Sequence, residues 1–409
     1  MDIPDIGRKI HYRLTTNRTA LGAYAILGLL LWFNLLYLGL LNDFGLTWDE
    51  SLGDIFYGER YYAFLKTWQP ALLNFQQPAP YETALFGHPN FFITPFIETP
   101  YEFPSVGGIL SAVTCEIFFK TWHCLEAVDA HHLINLFLFD LLLVTLYLFL
   151  KKYFDQPTGL LTVILMVLHP RFFGDLFNNI KDIPETVFFS LALIIGAEGF
   201  LVQSGAILLF AAMFWGLALG IKPNALFIPV IATPWGGLLW ARRILKNEAI
   251  PLRFVLGIAL TPVVAGSVFV AFWPYLWADP INRMHHYVQY VMSKGKGGLP
   301  YWHFDAISQF FWTTPPILLV FSGIGLLFFG WSGLSWQFSS QSCRQKRRQG
   351  AILFLCFIWL LVVFIRISLP GMLHFDGIRH FWEFWPPLAI FAAIGMLHSV
   401  RGIIQILKF

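Results

Sequence analysis

The sequence predicts an all-α, polytopic transmembrane helix bundle of about ten spans, and three observations predict it. Of the 409 residues, 57% are hydrophobic and only 12% charged, whereas a soluble domain carries about 25% charged residues. Runs of roughly twenty apolar residues, long enough to cross a hydrocarbon core, recur along the whole chain. The 43 Phe and 16 Trp suit packed helices and interfacial aromatic belts. No stretch of about 100 residues is left over for a soluble domain. Residues 1–409 therefore read as a single membrane-embedded domain, and any chemistry belongs at the membrane. The net charge of +3 says less than its distribution, and nothing points to nucleic acid.

The apolar run 20–41 is the first span. It is longer than a signal-peptide core, and no small-residue cleavage site follows it. The remaining spans fall at 131–150, 158–174, 184–202, 205–221, 225–240, 254–276, 315–331, 351–366 and 382–400. The short apolar stretch 104–119 is flanked by Glu102, Glu116 and Lys120 and reads as a juxtamembrane helix lying in the interface. Charge supports this division. With the N-terminus inside, Arg8, Lys9, Arg13 and Arg18 share one side with Lys151, Lys152, Arg242, Arg243, Lys246, Arg344, Lys346, Arg347, Arg348 and Arg401, as the positive-inside rule expects. Both termini are then cytoplasmic in a multi-pass protein of the inner (plasma) membrane. The acids, Asp43, Asp49, Glu50, Asp54 and Glu59 among them, fall outside.

Two external loops are long, 42–130 and 277–314, and long loops without a domain of their own are usually functional. They are expected to form the active-site face. The second contains Gly295-Lys296-Gly297-Gly298, a candidate lid. Cys115 and Cys124 could pair if both are external, or remain free thiols. No zinc spacing of Cys is present, and adjacent His131 and His132 do not share a helix face, so no metal is predicted.

Four clusters converge on the predicted external face. Asp49-Glu50 follows the first span. His169 to Pro184 includes Arg171, Asp175, Lys181 and Asp182. Trp273 to Pro280 is followed by Tyr301-Trp302-His303. Phe375-Asp376-Gly377-Ile378-Arg379-His380 precedes the last span. Two adjacent carboxylates at an apolar boundary repel one another and lose water, and both effects raise a carboxyl pKa toward the range of a general base. Arg171, Lys181, Lys222 and Arg379 lie where a lipid-linked phosphate would sit, or else reach lipid headgroups. Lys181-Asp182 also fits a local ion pair at a helix start, with Asp182 as N-cap and Pro184 in the first turn. Asp140 and Glu198 lie within spans. They are candidates for a proton relay, though a hydrogen-bonded structural role is favoured. Trp48, Trp277, Tyr301 and Trp302 are candidates to stack on a sugar, or members of an aromatic belt.

In order and membrane side, these segments resemble the GT-C class of polytopic glycosyltransferases. Within it they look most like the family-39 group of protein O-mannosyltransferases and bacterial aminoarabinose transferases. The resemblance rests on Asp49-Glu50, Glu102 to Gly108, the Pro170–Pro184 stretch, Gly216 to Lys222, and Asp376 to His380 with Pro386-Pro387. His88-Pro89-Asn90 stands where that family has His-Pro-Pro, and no soluble C-terminal domain follows. The resemblance implies Asp49 as base on the acceptor, with Glu50 next to it. It also implies that Asp182, or less surely Asp175, holds acceptor or donor. Arg171, Lys181, Lys222, His303, Arg379 and His380 complete the expected substrate-binding set. Related oligosaccharyltransferases place a divalent ion between loop acids, so the resemblance allows one between Asp49, Asp175 and Asp182, though it is not favoured. The implied reaction is inverting transfer of a sugar from a polyprenyl-phosphate donor to a hydroxyl of a lipid, glycan or protein acceptor. The alternatives are a secondary transporter or lipid flippase, whose charges would sit deep in the bundle, and a polysaccharide polymerase or ligase.

Overall fold

The computed structural model describes residues 3–47, 49–73, 100–294, 298–335, 343–372 and 377–407. Every regular element among them is helical. The helices are α1 (Ile3–Leu40), α2 (Ile55–Thr67), α3 (Val106–Cys115), α4 (Ala127–Tyr153), α5 (Gln156–Val167), α6 (Pro170–Asp175), α7 (Asp182–Val202) and α8 (Gly205–Leu219). They continue as α9 (Ile228–Leu245), α10 (Leu252–Ala271), α11 (Pro280–Lys294), α12 (Asp305–Thr313), α13 (Pro316–Phe328), α14 (Arg344–Ser368) and α15 (Trp385–Ile406).

Eight helical segments among the described residues are long and apolar enough to cross a membrane. They correspond to eight of the ten expected spans. The other two, α5 and α8, are apolar but only 12 and 15 residues long. At 1.5 Å per residue they reach about 18–23 Å, short of a hydrocarbon core of about 30 Å. The reason at α5 is Pro170. The residue before a proline leaves the α region, so His169 is extended and α6 starts as a separate helix behind it. The 104–119 stretch becomes the ten-residue α3 and a following wide turn, Glu116–Thr121, too short to cross.

The core is formed by α4, α5, α7, α14 and α15, whose apolar side chains meet in one continuous cluster. A second, smaller cluster joins α2 and α3 to Phe269, Trp273, Tyr275 and Tyr287. Between α2 and α3 the backbones touch at Gly58 and Gly108, and a Cβ on Gly107 would strike the Ile180 carbonyl. Small residues here let the juxtamembrane pair press onto the turn that leads into α7. That contact brings the start of α2 beside the start of α7.

The two ends of the bundle differ in charge. Arg242, Arg243, Lys246, Arg344, Arg347 and Arg348 line one cavity of about 390 Å³ with Glu248. At the same end Glu198 accepts from Lys152 at 2.5 Å and Tyr153 at 2.8 Å. Asp140 accepts from Asn34 at 2.9 Å. Asp182 lies at the opposite end of α7 from Glu198. All four cysteines are free thiols, Cys115 buried and Cys124 exposed, so the possible bridge is not formed.

Candidate active site

Asp49 lies just after the first span, at the head of the wide turn Glu50–Asp54. Its side chain is 39% exposed and lines a cavity of about 620 Å³ with Thr47, Arg171, Asp175, Asn179 and Arg379. Arg379 Nη2 donates to Asp49 Oδ2 at 2.6 Å, and Nη1 reaches Asp182 Oδ2 at 3.3 Å. The guanidinium thus bridges two acids 133 positions apart in sequence, as its planar fork allows. Asp182 is buried. Its Oδ1 is paired with Lys222, whose Nζ is also 3.3 Å from His380 Nδ1.

Glu50 goes the other way. It is buried and its oxygens accept from Thr47 N (2.9 Å), Ile180 N (3.2 Å) and His132 Nε2 (3.2 Å). Those bonds tie the first loop to α4 and to the turn before α7. The two adjacent acids therefore share no partner: Asp49 faces the cavity and Glu50 the core.

Burial raises two acids beside the cavity and outside the spans. Asp54 is pushed up to about 6 by burial, against the opposing pull of Lys181, with Asp49 and Glu50 adding to the rise. Lys181 Nζ lies 3.2 Å from Asp54 Oδ1 and over the Phe103 ring. Burial also opposes its charge, but Asp54, Asp49 and Asp182 outweigh that and its pKa is raised. Asp175 is likewise pushed up to about 6 by burial, with Arg171 at 3.6 Å pulling it down. Its Oδ2 accepts from Trp382 Nε1 at 2.7 Å. Behind it His169 is brought down to about 4 by burial, a neutral ring that caps α6 and packs edge-on against Trp382 and Trp385.

Two sequence expectations are corrected here. Lys181 and Asp182 do not pair with each other; successive side chains diverge, one to Asp54 and one to Lys222 and Arg379. Nor does Asp182 cap α7. Asn179 does so, its Oδ1 accepting from Lys181 N at 3.2 Å and Asp182 N at 2.7 Å, because the Asp182 carboxylate is engaged by cations.

The structure thus brings together Asp49, Arg171, Asp175, Lys181, Asp182, Lys222, Arg379 and His380. His303 is buried off the cavity lining, its N–H donating to Ser368 O at 3.3 Å. Asp376, Trp48, His88-Pro89-Asn90 and Gly295-Lys296-Gly297 lie outside the described residues. Gly298, the end of the expected lid, is held by reciprocal backbone bonds between residues 298–299 and Gly371 at 2.9 and 2.7 Å. Tyr301 and Trp302 are exposed, and Trp277 stacks on Trp68. Of the three acids Asp49, Asp175 and Asp182, the first and last are bridged by Arg379, and Asp182 also pairs with Lys222.

Sequence reasoning missed the support of Arg379 and His380. Arg366 holds Glu383 through two bonds of 2.9 and 3.2 Å and donates to the His380 carbonyl at 3.3 Å. Asn224 Nδ2 bonds both Glu383 Oε1 (2.9 Å) and the same carbonyl (3.1 Å). Two opposite charges placed in apolar runs, Arg366 near the end of one and Glu383 near the start of the next, were the available signal.

No curated protein matches the chain. Residues 128–266, from α4 to most of α10, match the model of the dolichyl-phosphate-mannose-protein mannosyltransferase family. The matched third of the chain carries Arg171, Asp175, Lys181, Asp182 and Lys222. Together with the apolar helices, this similarity points to a multi-pass membrane glycosyltransferase of the GT-C type.

Proposed function

We propose that this protein transfers a sugar from a polyprenyl-phosphate donor to an acceptor hydroxyl, with inversion, and that Asp49 is the general base. The observation that carries the reading is the placement of Asp49. It is a partly exposed acid of the first loop, it opens on a polar cavity, and Arg379 orients it from a position fixed by Asp182. The acceptor O–H proton passes to Asp49, the acceptor oxygen bonds to the anomeric carbon, and the bond from that carbon to phosphate breaks. The phosphate leaves as an anion, so it needs cations and no proton donor. A glycosidase needs a carboxyl acid as well as a carboxyl base.

Arg171 and Arg379 line the cavity and are the residues suited to the donor phosphate. Lys222 and Lys181 hold Asp182 and Asp54 and act on the reaction by position. Glu50 serves as a tether of the first loop. The concentration of arginine and lysine at the opposite end of the bundle supports a cytoplasmic placement of that end and an external site. A transporter reading loses its two intramembrane acids, since Asp140 and Glu198 are engaged by Asn34 and by Lys152 with Tyr153.

The test uses the purified protein in lipid vesicles with a polyprenyl-phosphate sugar labelled in the sugar. Formation of labelled product together with free polyprenyl phosphate is expected. Product formed only from a nucleotide sugar or a pyrophosphate-linked glycan would overturn the donor assignment.

A further inference from the structure

Glu59 on α2, Cys115 at the end of α3 and His131 on α4 come together away from the cavity of Asp49. All three are buried, at 4%, 0% and 0% exposure. One donor atom from each lies within 4.8 Å of the others. One arrangement of protons around His131 readies it for a metal. Ser111 Oγ donates to Gly108 O at 2.9 Å and lies 3.1 Å from His131 Nδ1. A hydroxyl has one proton. Having given it to Gly108, Ser111 accepts from His131 Nδ1–H. The neutral ring then aims a bare Nε2 at Glu59 Oε1, 3.4 Å away. Nε2 has no hydrogen-bond partner among the described residues. In that arrangement two lone pairs face each other in a buried site, and a cation between them would satisfy both.

We propose that Glu59, Cys115 and His131 bind a structural Zn²⁺ ion. Thiolate, imidazole and carboxylate are its ordinary donors, and three protein ligands leave a fourth position for water. Bond lengths of about 2.0–2.3 Å require the side chains to close in by roughly an ångström. Thiolate and carboxylate together neutralise the ion. The Ser111 hydroxyl already holds the imidazole in the tautomer that frees Nε2 for metal. Lys120 lies 3.0 Å from Glu59 Oε2 and 3.3 Å from Oε1. It remains on Oε2 while the ion takes Oε1. On binding, the Cys115 S–H bond is exchanged for an S–Zn bond, and one proton is released to water. The ion pins α2, α3 and α4 to one another beside the Gly58–Gly108 contact. It is a clamp on the juxtamembrane helices, and the inference stands independently of the transfer reaction.

The test uses the full chain, purified without a polyhistidine tag, with exposed Cys124 and Cys343 changed to Ser to remove adventitious thiols. After incubation with ZnCl₂ and desalting, metal is counted by mass spectrometry. Co²⁺ is substituted to read the thiolate-to-cobalt charge-transfer band. One zinc per chain, a cobalt–thiolate band, and a rise in melting temperature on adding zinc are expected. Cys115→Ser should lose the band and the zinc-dependent rise, and Glu59→Gln should weaken zinc retention at least tenfold while keeping the band at high cobalt. A folded parent protein that retains no zinc would overturn the proposal and leave an imidazolium–carboxylate pair. Undiminished zinc and cobalt band in Cys115→Ser would also overturn it.

Discussion

Removing the carboxylate of Glu383 should destabilise the protein more than any other single change near the site. Glu383 is fully buried and Arg366 is 5% exposed, and they meet through two bonds of 2.9 and 3.2 Å. At 2.9 Å and an effective dielectric near 20, the attraction is about 6 kcal/mol, and desolvation of both ions cancels much of it. Breaking the pair from one side leaves the other charge buried, a loss of about 3–5 kcal/mol. Glu383→Gln should lose that much, with Arg366 left against the His380 carbonyl and Asn224. Replacing both ions by apolar residues, Arg366→Met with Glu383→Met, should cost less than either single change. The assay is reversible denaturation in mixed micelles, run as a double-mutant cycle. A Glu383→Gln protein within about 0.5 kcal/mol of the parent, or a double variant losing the sum of the singles, would refute the reasoning.

Three further outcomes follow from the geometry. A methyl group on Gly108 would meet the Asp54 carbonyl and Gly58, neither of which can swing aside. Gly108→Ala should therefore lose about 1–3 kcal/mol in the same denaturation assay, and an unchanged midpoint would mean that α2 and α3 are not in backbone contact. Asp54 and Asp175 both stand at about 6 in the folded protein against a usual value of 3.8, so the folded state holds their protons more tightly. That contribution, up to about 3 kcal/mol each, is complete below about pH 4 and lost as pH rises through 6. His169, held near 4, acts in the opposite sense over the same window, so the acids are read by difference: melting temperature should fall more, or rise less, with pH in the parent than in Asp175→Asn, and identical profiles would contradict the burial of Asp175. Arg379→Lys keeps the charge but cannot bridge Asp49 and Asp182 at once. Transfer should drop by about 100-fold, the scale of a misplaced catalytic group, at unchanged protein level. Full activity would remove Arg379 from the orienting role.

Much of this was legible in the sequence because membrane constraints are written in composition. The apolar runs located the helices, and the charge map separated Asp49, Asp182 and Arg379 from the Arg242 and Arg347 clusters. It could not show that Asp49 and Glu50 part company, since that depends on Ile180 N and His132 reaching Glu50 from 130 and 82 positions away. The raised pKa of Asp54 was equally out of reach. Its shift comes from burial, which depends on how α2 and α3 pack through two glycines. Asn179 capped α7 because Asp182 had a stronger use. Proline explains the short α5, and Pro170 was visible throughout. The charges of Arg366 and Glu383 in apolar runs hinted at a pair, but no pattern showed that they and Asn224 would hold the His380 carbonyl beside Arg379.

The most direct test of the central claim compares Asp49→Asn with Glu50→Gln in vesicles supplied with a labelled polyprenyl-phosphate sugar. The Asn variant keeps the size of the side chain and a hydrogen-bonding oxygen toward Arg379, but it cannot take a proton. Asp49→Asn should fold at the parent's level and lose at least about 100-fold in transfer, the scale of general-base assistance. Glu50→Gln should lower the amount of folded protein, and the protein that does fold should keep most of its transfer rate. Parental transfer by Asp49→Asn, or a well-folded and inactive Glu50→Gln, would contradict the assignment of the base.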